Sequence, residues 1–238
     1  MDIKQNIPRK KNVFERKLQT CLNLNKKRRT FKYVSDILSL ARGDLQVIPT
    51  PYLLFLGDAP DQLSAKVAQG IKDWRPENAV GQIRMSGCNA DLGLEDLTLE
   101  QAYEKGARTM VIGVANRGGY ISEAWKAVLI EALSTGFDLA SGLHNLLRDE
   151  PDLVANAKQY GRLLHDVRVP TVEYPIANGK NRTGKRCLAV GTDCSAGKMY
   201  TAMAIDKLMQ DRGMKSTFRA TGQTGILITG EGVPLDAV

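Results

Sequence analysis

Cysteine and aromatic residues are scarce in this sequence, and long apolar runs are missing. The 238 residues include four cysteines, which are widely spread and form no Cys-x-x-Cys or Cys-x-x-His pair. This spacing argues against a disulfide framework and a metal knuckle, and it favours a reducing compartment. No apolar run approaches the roughly 20 residues of a membrane-spanning helix, and the charged N-terminus lacks the apolar segment of a secretory signal. We therefore expect a cytoplasmic protein with no membrane partner and no metal site.

The net charge of +7 is concentrated at one end of the chain. Residues 1–50 hold 12 Lys and Arg residues against 4 Asp and Glu residues, and the remaining residues are close to neutral. Because a nucleic-acid-binding protein carries its basic surface on the folded body, we predict no nucleic-acid partner. Residues 1–48 are expected to form a basic, poorly ordered extension. The alternatives are a nucleic-acid-binding or targeting arm and a segment that is not a natural part of the protein.

After Pro49, short apolar runs alternate with amphipathic stretches. This alternation predicts βαβ units around a parallel sheet, and hence an α/β fold. A first helix is expected to start at Asp61 and to place Leu63, Val67, Ile71 and Trp74 on one face. The other helices are predicted at 99–105, 122–134 and 152–161, and the strands at 52–56, 79–85, 109–114, 137–140 and 167–172.

Polar, glycine-rich segments follow three of the predicted strands. They are Gly57-Asp58, residues 116–119 and residues 141–144, the last of which ends in His144. In open parallel sheets, ligands bind at the carboxyl ends of the strands. We expect at least one of these segments to bind a ligand, and the alternative is that they are ordinary turns.

A second α/β unit follows a polar linker at residues 175–184. Its first strand is predicted at 185–190 and its helix at 198–212, with Ala202, Ile205, Leu208 and Met209 facing inward. Another strand is expected at 214–219, followed by an apolar run at 226–229. Since two or three strands cannot bury both faces of a parallel sheet, residues 185–238 are expected to form only part of a domain. The chain is then either a fragment or completes itself with a partner.

The loop between this strand and helix predicts phosphate binding. Backbone N–H groups and a helix N-terminus supply partial positive charge, and the lysine adds a full one. Five residues separate the two loop glycines, and Met199 stands where the common nucleotide loop has a hydroxyl residue that binds Mg²⁺. Because a thioether is a poor ligand for Mg²⁺, we predict a phosphate ligand that is held and not hydrolysed. The predicted cofactor-binding residues are Gly191, Thr192, Asp193, Cys194, Ser195, Ala196, Gly197, Lys198, Met199 and Tyr200.

Two side chains within the loop have open roles. The positive charge of the loop would favour a thiolate at Cys194, which is therefore either a nucleophile or a small packing residue. Asp193 is either a base or an organiser of the loop backbone.

Five motifs together resemble the bacterial D-glutamate N-acetyltransferase family. They are PYLLFLGDA at 51–59, VANRGG at 114–119, ASGLH at 140–144, GTDCSAGKMYT at 191–201 and FRATGQTG at 218–225. The resemblance covers about residues 49–238. It implies a Rossmann-like domain at 49–174 and a P-loop domain at 185–238 that the chain leaves unfinished, with residues 1–48 as an addition. The loop alone also resembles dethiobiotin synthetase, which has a hydroxyl residue after the lysine.

The family resemblance implies an enzyme that moves an acetyl group from acetyl-CoA to the amine of D-glutamate. The loop would cradle the pyrophosphate of coenzyme A without a metal, and the enzyme would be a homo-oligomer acting on a small molecule. An ATP- and Mg²⁺-dependent ligase or kinase of the dethiobiotin synthetase type is the alternative, and an inactive nucleotide-binding fragment is a third possibility. The candidate catalytic bases are Asp193, His144 and Asp58, and the candidate substrate-binding residues are Arg117, Gly118, Arg219 and Gln223.

Overall fold

The computed structural model describes residues 46–115, 118–170, 179–181, 183–192 and 196–234. Most of the predicted extension and most of the predicted linker lie outside the described residues. So do Arg117 and the loop residues Asp193, Cys194 and Ser195. Among the helices of the described part, none combines the length and the apolar character that crossing a bilayer requires.

The described residues contain seven strands and six α-helices. The strands are β1 (Gln46–Val47), β2 (Tyr52–Gly57), β3 (Ala79–Arg84), β4 (Thr109–Ile112), β5 (Asp138–Ser141), β6 (Leu164–Asp166) and β7 (Glu231–Gly232). The helices are α1 (Lys66–Trp74), α2 (Leu99–Glu104), α3 (Glu123–Thr135), α4 (Pro151–Tyr160), α5 (Lys198–Asp211) and α6 (Gln223–Thr229).

Five parallel strands form the central sheet, in the order β3-β2-β4-β5-β6. Every residue of β2 and β4 is buried, as expected for strands that are covered by helices on both faces. The chain moves from β2 outward to β3 and then crosses back to β4. The strand order therefore reverses between β2 and β4, and a crevice opens there at the carboxyl ends of the strands.

The helix termini of this domain follow the predicted capping signals. The Ser122 hydroxyl accepts a hydrogen bond from the Trp125 N–H at 3.2 Å, and α3 ends at Gly136 with φ 115°. Asp61 caps the short 3₁₀ turn Gln62–Ala65 that precedes α1, because its carboxylate accepts from the Ser64 N–H at 2.8 Å. These local signals act through backbone groups that the helix itself leaves unpaired.

Two predictions within the sheet domain are wrong. Leu63 was expected on the apolar face of the first helix, but it is 76% exposed. It lies in the 3₁₀ turn, whose three residues per turn put it out of phase with α1. The last strand was expected at 167–172 but is Leu164–Asp166. Its polar residues His165 and Asp166 concealed it, and both are buried by pairing with β5.

The predicted strands of the second unit are also wrong. Residues 185–190 and 214–219 form no strand, and Leu188 and Val190 are about four-fifths exposed, at 81% and 80%. A strand requires a neighbour for its backbone N–H and C=O groups, and none of the described strands lies beside either segment. The apolar run at 226–229 is part of α6.

Helix α5 begins at the predicted residue but buries a different face. Ile205 and Leu208 were expected to face inward, yet they are 39% and 52% exposed, and Met203 is the buried residue. The helix packs through Tyr200 on α1 and through Met199 on α6, so its contact face lies one turn earlier. At the other end of the described chain, β1 pairs with β7, and the Ile48 N–H donates to the Gly230 carbonyl at 2.7 Å.

Candidate active site

A cavity of about 230 Å³ lies at the carboxyl edge of the sheet. We call it the sheet-edge cavity. Its walls come from the start of α1, the loops that follow β4, β5 and β6, and one side of α6. The polar or charged side chains that line it are Lys66, His144, Arg168, Gln223 and Thr224.

His144 reaches this cavity because the loops after β4 and β5 are joined. Gly119, at φ 61°, packs so closely on His144 that a Cβ atom would stand 2.9 Å from the His144 backbone nitrogen. The Asn145 N–H donates to the Gly119 carbonyl at 2.8 Å, and the Asn145 amide oxygen accepts from the Ile121 N–H at 3.1 Å. A side chain at position 119 would force these loops apart, and His144 would move with them.

Helix α6 closes one side of the cavity. It approaches the β5 loop at Gly142, where a Cβ atom would lie 3.0 Å from both Cβ and Cγ of Gln223. The Gly142 carbonyl accepts from the Arg168 Nε–H at 2.8 Å. The predicted substrate-binding residue Gln223 therefore lines the same cavity as His144, although the two are 79 positions apart in the sequence.

The charge of the lining is one-sided. Lys66 and Arg168 contribute cations, and none of the described lining residues is Asp or Glu. Leu143, Leu227 and Val114 supply apolar wall between them. A small anion with a short hydrocarbon body matches this combination of fixed positive charge and apolar surface.

Asp58, a predicted base, has a different neighbour. Its carboxylate accepts a hydrogen bond from Trp125 Nε1 at 2.8 Å, and it is not among the residues that line the cavity. The bond ties the loop after β2 to α3. A catalytic role for Asp58 stays a prediction.

The phosphate loop brings its first glycine and its lysine together. The aliphatic stem of Lys198 lies over Gly191, where a Cβ atom would be 3.2 Å from the lysine Cγ and Cδ. Gly197 has φ 84° and α5 begins at the next residue. The chain thus turns back on itself and starts a helix at the lysine, which is the geometry expected of a loop that surrounds a phosphate.

Met199 points away from the loop toward α6. It is half-buried, and its Sδ atom lies 3.2 Å from the position of a Cβ on Gly225. The side chain after the lysine is therefore occupied by protein packing. This arrangement agrees with a phosphate loop that has no metal-binding hydroxyl at that position.

Tyr200, also a predicted cofactor-binding residue, stacks on Trp74 of α1. Their ring centroids are 5.6 Å apart and the ring planes differ by 14°. Burial, and to a smaller extent the Asp73 carboxylate, raises the pKa of the Tyr200 hydroxyl. The ring links α5 to the sheet domain, and its role in binding a cofactor stays a prediction.

Arg219 and Gly118 lie outside the sheet-edge cavity. Arg219 pairs with Glu231 of β7 at 3.0 Å, so its guanidinium already has an anionic partner. Gly118 is exposed, with φ 83°, in the loop after β4. The cations that do line the cavity, Lys66 and Arg168, were missed by the sequence analysis. A correct end for β6 would have placed Arg168 directly beyond its carboxyl end.

A larger hollow, of about 420 Å³, opens at the carboxyl end of the edge strand β3. Its charged groups neutralise one another. Arg84 pairs with Asp96 and lies 3.5 Å from Asp91, and the Gln82 amide donates to Asp91 at 2.8 Å. These contacts join β3 to the segment that follows it, so the hollow is less suited than the sheet-edge cavity to bind a charged ligand.

The parallel sheet, its strand reversal and the glycine–lysine loop define a Rossmann-like domain followed by a P-loop domain. Two family models match accordingly. A Rossmann-like domain of unknown function, DUF1611_N, matches residues 83–170, and the P-loop domain of the same family, DUF1611_C, matches residues 175–238. The chain belongs to the DUF1611 family, the family that the five motifs indicate.

Two curated relatives carry the same name. A D-glutamate N-acetyltransferase of Tritonibacter scottomollicae is 74% identical over 192 residues, and one of a Pseudoalteromonas species is 44% identical over 194 residues. These alignments cover 81% and 82% of this chain, and the chain spans 58% of the length of each relative.

A solved structure has the same fold. The crystal structure of a DUF1611 family protein from Anabaena variabilis superposes with a TM-score of 0.66 at 33% sequence identity. The match covers 80% of this chain and 58% of that protein.

Proposed function

We propose that this protein is an N-acyltransferase that moves an acetyl group from acetyl-CoA to the amine of D-glutamate. The observation that carries the proposal is the 74% identity to a relative named D-glutamate N-acetyltransferase, over an aligned region as long as the sheet domain and the P-loop segment together. A cytoplasmic location and a homo-oligomeric state belong to the same proposal.

The donor is assigned to the phosphate loop. The close approach of Gly191 to Lys198 supports a pyrophosphate site, because backbone N–H groups and the ammonium group would converge on the same anion. The contact of Met199 with α6 supports a site that works without Mg²⁺. Acetyl-CoA would supply an activated acyl group, and residues 191–200 would hold its phosphates.

The acceptor is assigned to the sheet-edge cavity. Helix α6 separates this cavity from α5, with Gln223 and Leu227 toward the β5 loop and Gly225 toward Met199. A helix is about 10 Å across, which the extended arm of coenzyme A is long enough to bridge. The two substrates would therefore meet along α6.

The acceptor amine must lose a proton before it attacks, so a base is required within hydrogen-bond reach. Three candidates come from the sequence: Asp193, His144 and Asp58. His144 lines the cavity, whereas the described hydrogen bond of Asp58 goes to Trp125. We favour His144 as the base, with Asp193 as the candidate supplied by the phosphate loop.

Ligand-induced stabilisation tests the donor assignment. At a concentration a hundredfold above Kd, acetyl-CoA is expected to raise the free energy of unfolding by about 2.7 kcal/mol. Lys198→Ala should abolish that increase, whereas Lys207→Ala, an exposed lysine on the same helix, should retain it. Stabilisation by Mg²⁺-ATP but not by acetyl-CoA would contradict the proposal and favour a ligase or kinase.

The reaction itself is tested by incubating the protein with acetyl-CoA and D-glutamate. Mass spectrometry should detect N-acetyl-D-glutamate, with an equal amount of free coenzyme A thiol. His144→Ala should lower kcat by about 10²–10⁴-fold, the usual contribution of a general base. Full activity in this variant would remove His144 from the proposed mechanism.

A further inference from the structure

We propose that Lys66 and Arg168 are the two cationic groups that bind the carboxylates of the acceptor in the sheet-edge cavity. The inference rests on the proposed function, which makes the acceptor an amino acid with two carboxylates. It assigns the recognition of that acceptor to residues of the sheet domain and not to Arg219 of the P-loop segment.

The first argument is the position of Lys66. It is the first residue of α1, and the backbone around it is bonded to the loop that follows β4. The Ala68 N–H donates to the Gly113 carbonyl at 3.1 Å, and the Ala115 N–H donates to the Ser64 carbonyl at 2.8 Å. These bonds place Lys66 on the β2–β4 side of the cavity, beside the point where the strand order reverses.

The second argument is the orientation of Arg168. Its Nε–H donates to the Gly142 carbonyl at 2.8 Å, so the half-buried guanidinium is tied to the rim of the cavity. The Val167 N–H extends the β5–β6 pairing by donating to the Ser141 carbonyl at 3.0 Å. A guanidinium held through Nε presents its remaining N–H groups as a planar fork, which suits a carboxylate.

The third argument is the composition of the wall. The two cations belong to different elements, and the apolar side chains Leu143 and Leu227 lie in the same lining. Two carboxylates joined by a short hydrocarbon chain would contact one cation at each end and the apolar wall between them. No carboxylate of the described lining competes for either cation.

Arg219 is the less suitable anchor. It pairs with Glu231 at 3.0 Å and does not line the cavity. A substrate carboxylate would have to displace that partner or bind beside a negative charge. Either case weakens recognition of an acidic acceptor.

The test is calorimetric titration of D-glutamate and D-glutamine into the whole protein. Lys66→Met and Arg168→Gln should each weaken D-glutamate binding by about tenfold to a hundredfold, the usual range for loss of one charged hydrogen-bonding partner. One of the two variants should also remove the preference for D-glutamate over D-glutamine, because only the side-chain carboxylate distinguishes these ligands. Wild-type affinity in either variant, or an unchanged preference in both, would overturn the inference.

Matched controls separate recognition from folding. Lys158→Met on α4 and Arg212→Gln at the end of α5 remove exposed cations outside the cavity and should leave both affinities unchanged. Arg168→Lys keeps the charge but loses the planar fork, so it should bind D-glutamate better than Arg168→Gln and worse than the wild type. If Arg168→Gln does not fold, wild-type affinity in Arg168→Lys would still count against the inference.

The acetylation assay distinguishes the inference from the proposed function. Product formation with an unchanged KM for D-glutamate in both variants would reject the two anchors and leave the activity standing. Binding of D-glutamate that depends on Lys66 and Arg168, without product, would support the anchors and reject the activity. A wild-type protein that neither binds nor acetylates D-glutamate would reject both.

Discussion

Met199 follows the lysine of the phosphate loop, and its thioether packs against α6 at Gly225. The sequence identifies the residue as a poor Mg²⁺ ligand. The structure adds that the side chain is part of the interface between α5 and α6. The residue type is thus consistent both with the ligand chemistry proposed for the loop and with the packing behind it.

A Met199→Ala substitution is expected to lower the free energy of unfolding by about 2 kcal/mol, because it removes a half-buried side chain and leaves space beside Gly225. Urea denaturation measures the change. Met214→Ala is the matched control, since Met214 is 52% exposed, and its effect should stay below about 0.5 kcal/mol. Equal effects of the two substitutions would mean that Met199 is not packed as described.

At the scale of elements, the loop that carries His144 is supported by an ion pair between α3 and the start of α4. Lys126 Nζ lies 2.8 Å from a carboxylate oxygen of Glu150, and both side chains are largely buried. Asn145 also donates to Glu150, and its own N–H bonds to Gly119. The Lys126 hydrogen bond, and to a smaller extent Asn145, holds the pKa of Glu150 below its ordinary value.

The stabilising effect of Glu150 is expected to depend on pH. A carboxylate whose pKa is lowered by folding adds stability above its unfolded-state pKa of about 4.3 and loses that contribution as the pH falls through the lower folded-state value. Glu150→Gln should therefore be less stable than the wild type near neutral pH, and the difference should close in acid. Thermal unfolding from pH 7 down to pH 3 measures it.

Glu123 provides the control for that experiment. Its carboxylate lies 2.8 Å from the same lysine, but its side chain is 88% exposed. Exposed ion pairs contribute little, so Glu123→Gln should change stability much less at neutral pH. A larger loss in Glu123→Gln than in Glu150→Gln would show that the buried pair does not support this loop.

At the scale of the whole molecule, the sheet domain and the P-loop segment are joined by aromatic and helical contacts. Trp74 of α1 stacks on Tyr200 of α5. Gly70 of α1 meets both neighbours, since a Cβ there would lie 2.8 Å from the Tyr200 hydroxyl oxygen and 2.9 Å from Ile228 Cδ1 of α6. The contacts of α5 and α6 with α1 place the phosphate loop and the sheet-edge cavity on one body.

A double-mutant cycle tests this junction. Trp74→Ala and Tyr200→Ala are expected to show a coupling energy of about 0.5–1.5 kcal/mol, because the stacked rings interact beyond the area they bury. Trp74→Ala combined with Tyr160→Ala, an exposed tyrosine on α4, should be additive within about 0.5 kcal/mol. Additivity in the first cycle would show that the stacking does not join the two parts.

The sequence alone determined the fold class and most elements of the sheet domain. Period-2 and period-3.6 patterns marked four of its five strands and its four α-helices, and cap residues such as Ser122 and Gly136 marked helix ends. These features depend on neighbours within a few positions of the chain, so a local pattern contains the information they require. The phosphate loop is local in the same way, and its residues were recognisable from their spacing.

The tertiary structure decided what depends on distant partners. Residues 185–190 have the composition of a strand, but no described strand pairs with them, and β6 is a strand despite His165 and Asp166 because β5 lies beside it. The sheet-edge cavity brings Lys66, His144, Arg168 and Gln223 together from four separate parts of the chain. Strand pairing and convergent side chains are set by the order of strands in the sheet and the packing of α6 on α1, and spacing along the chain contains neither.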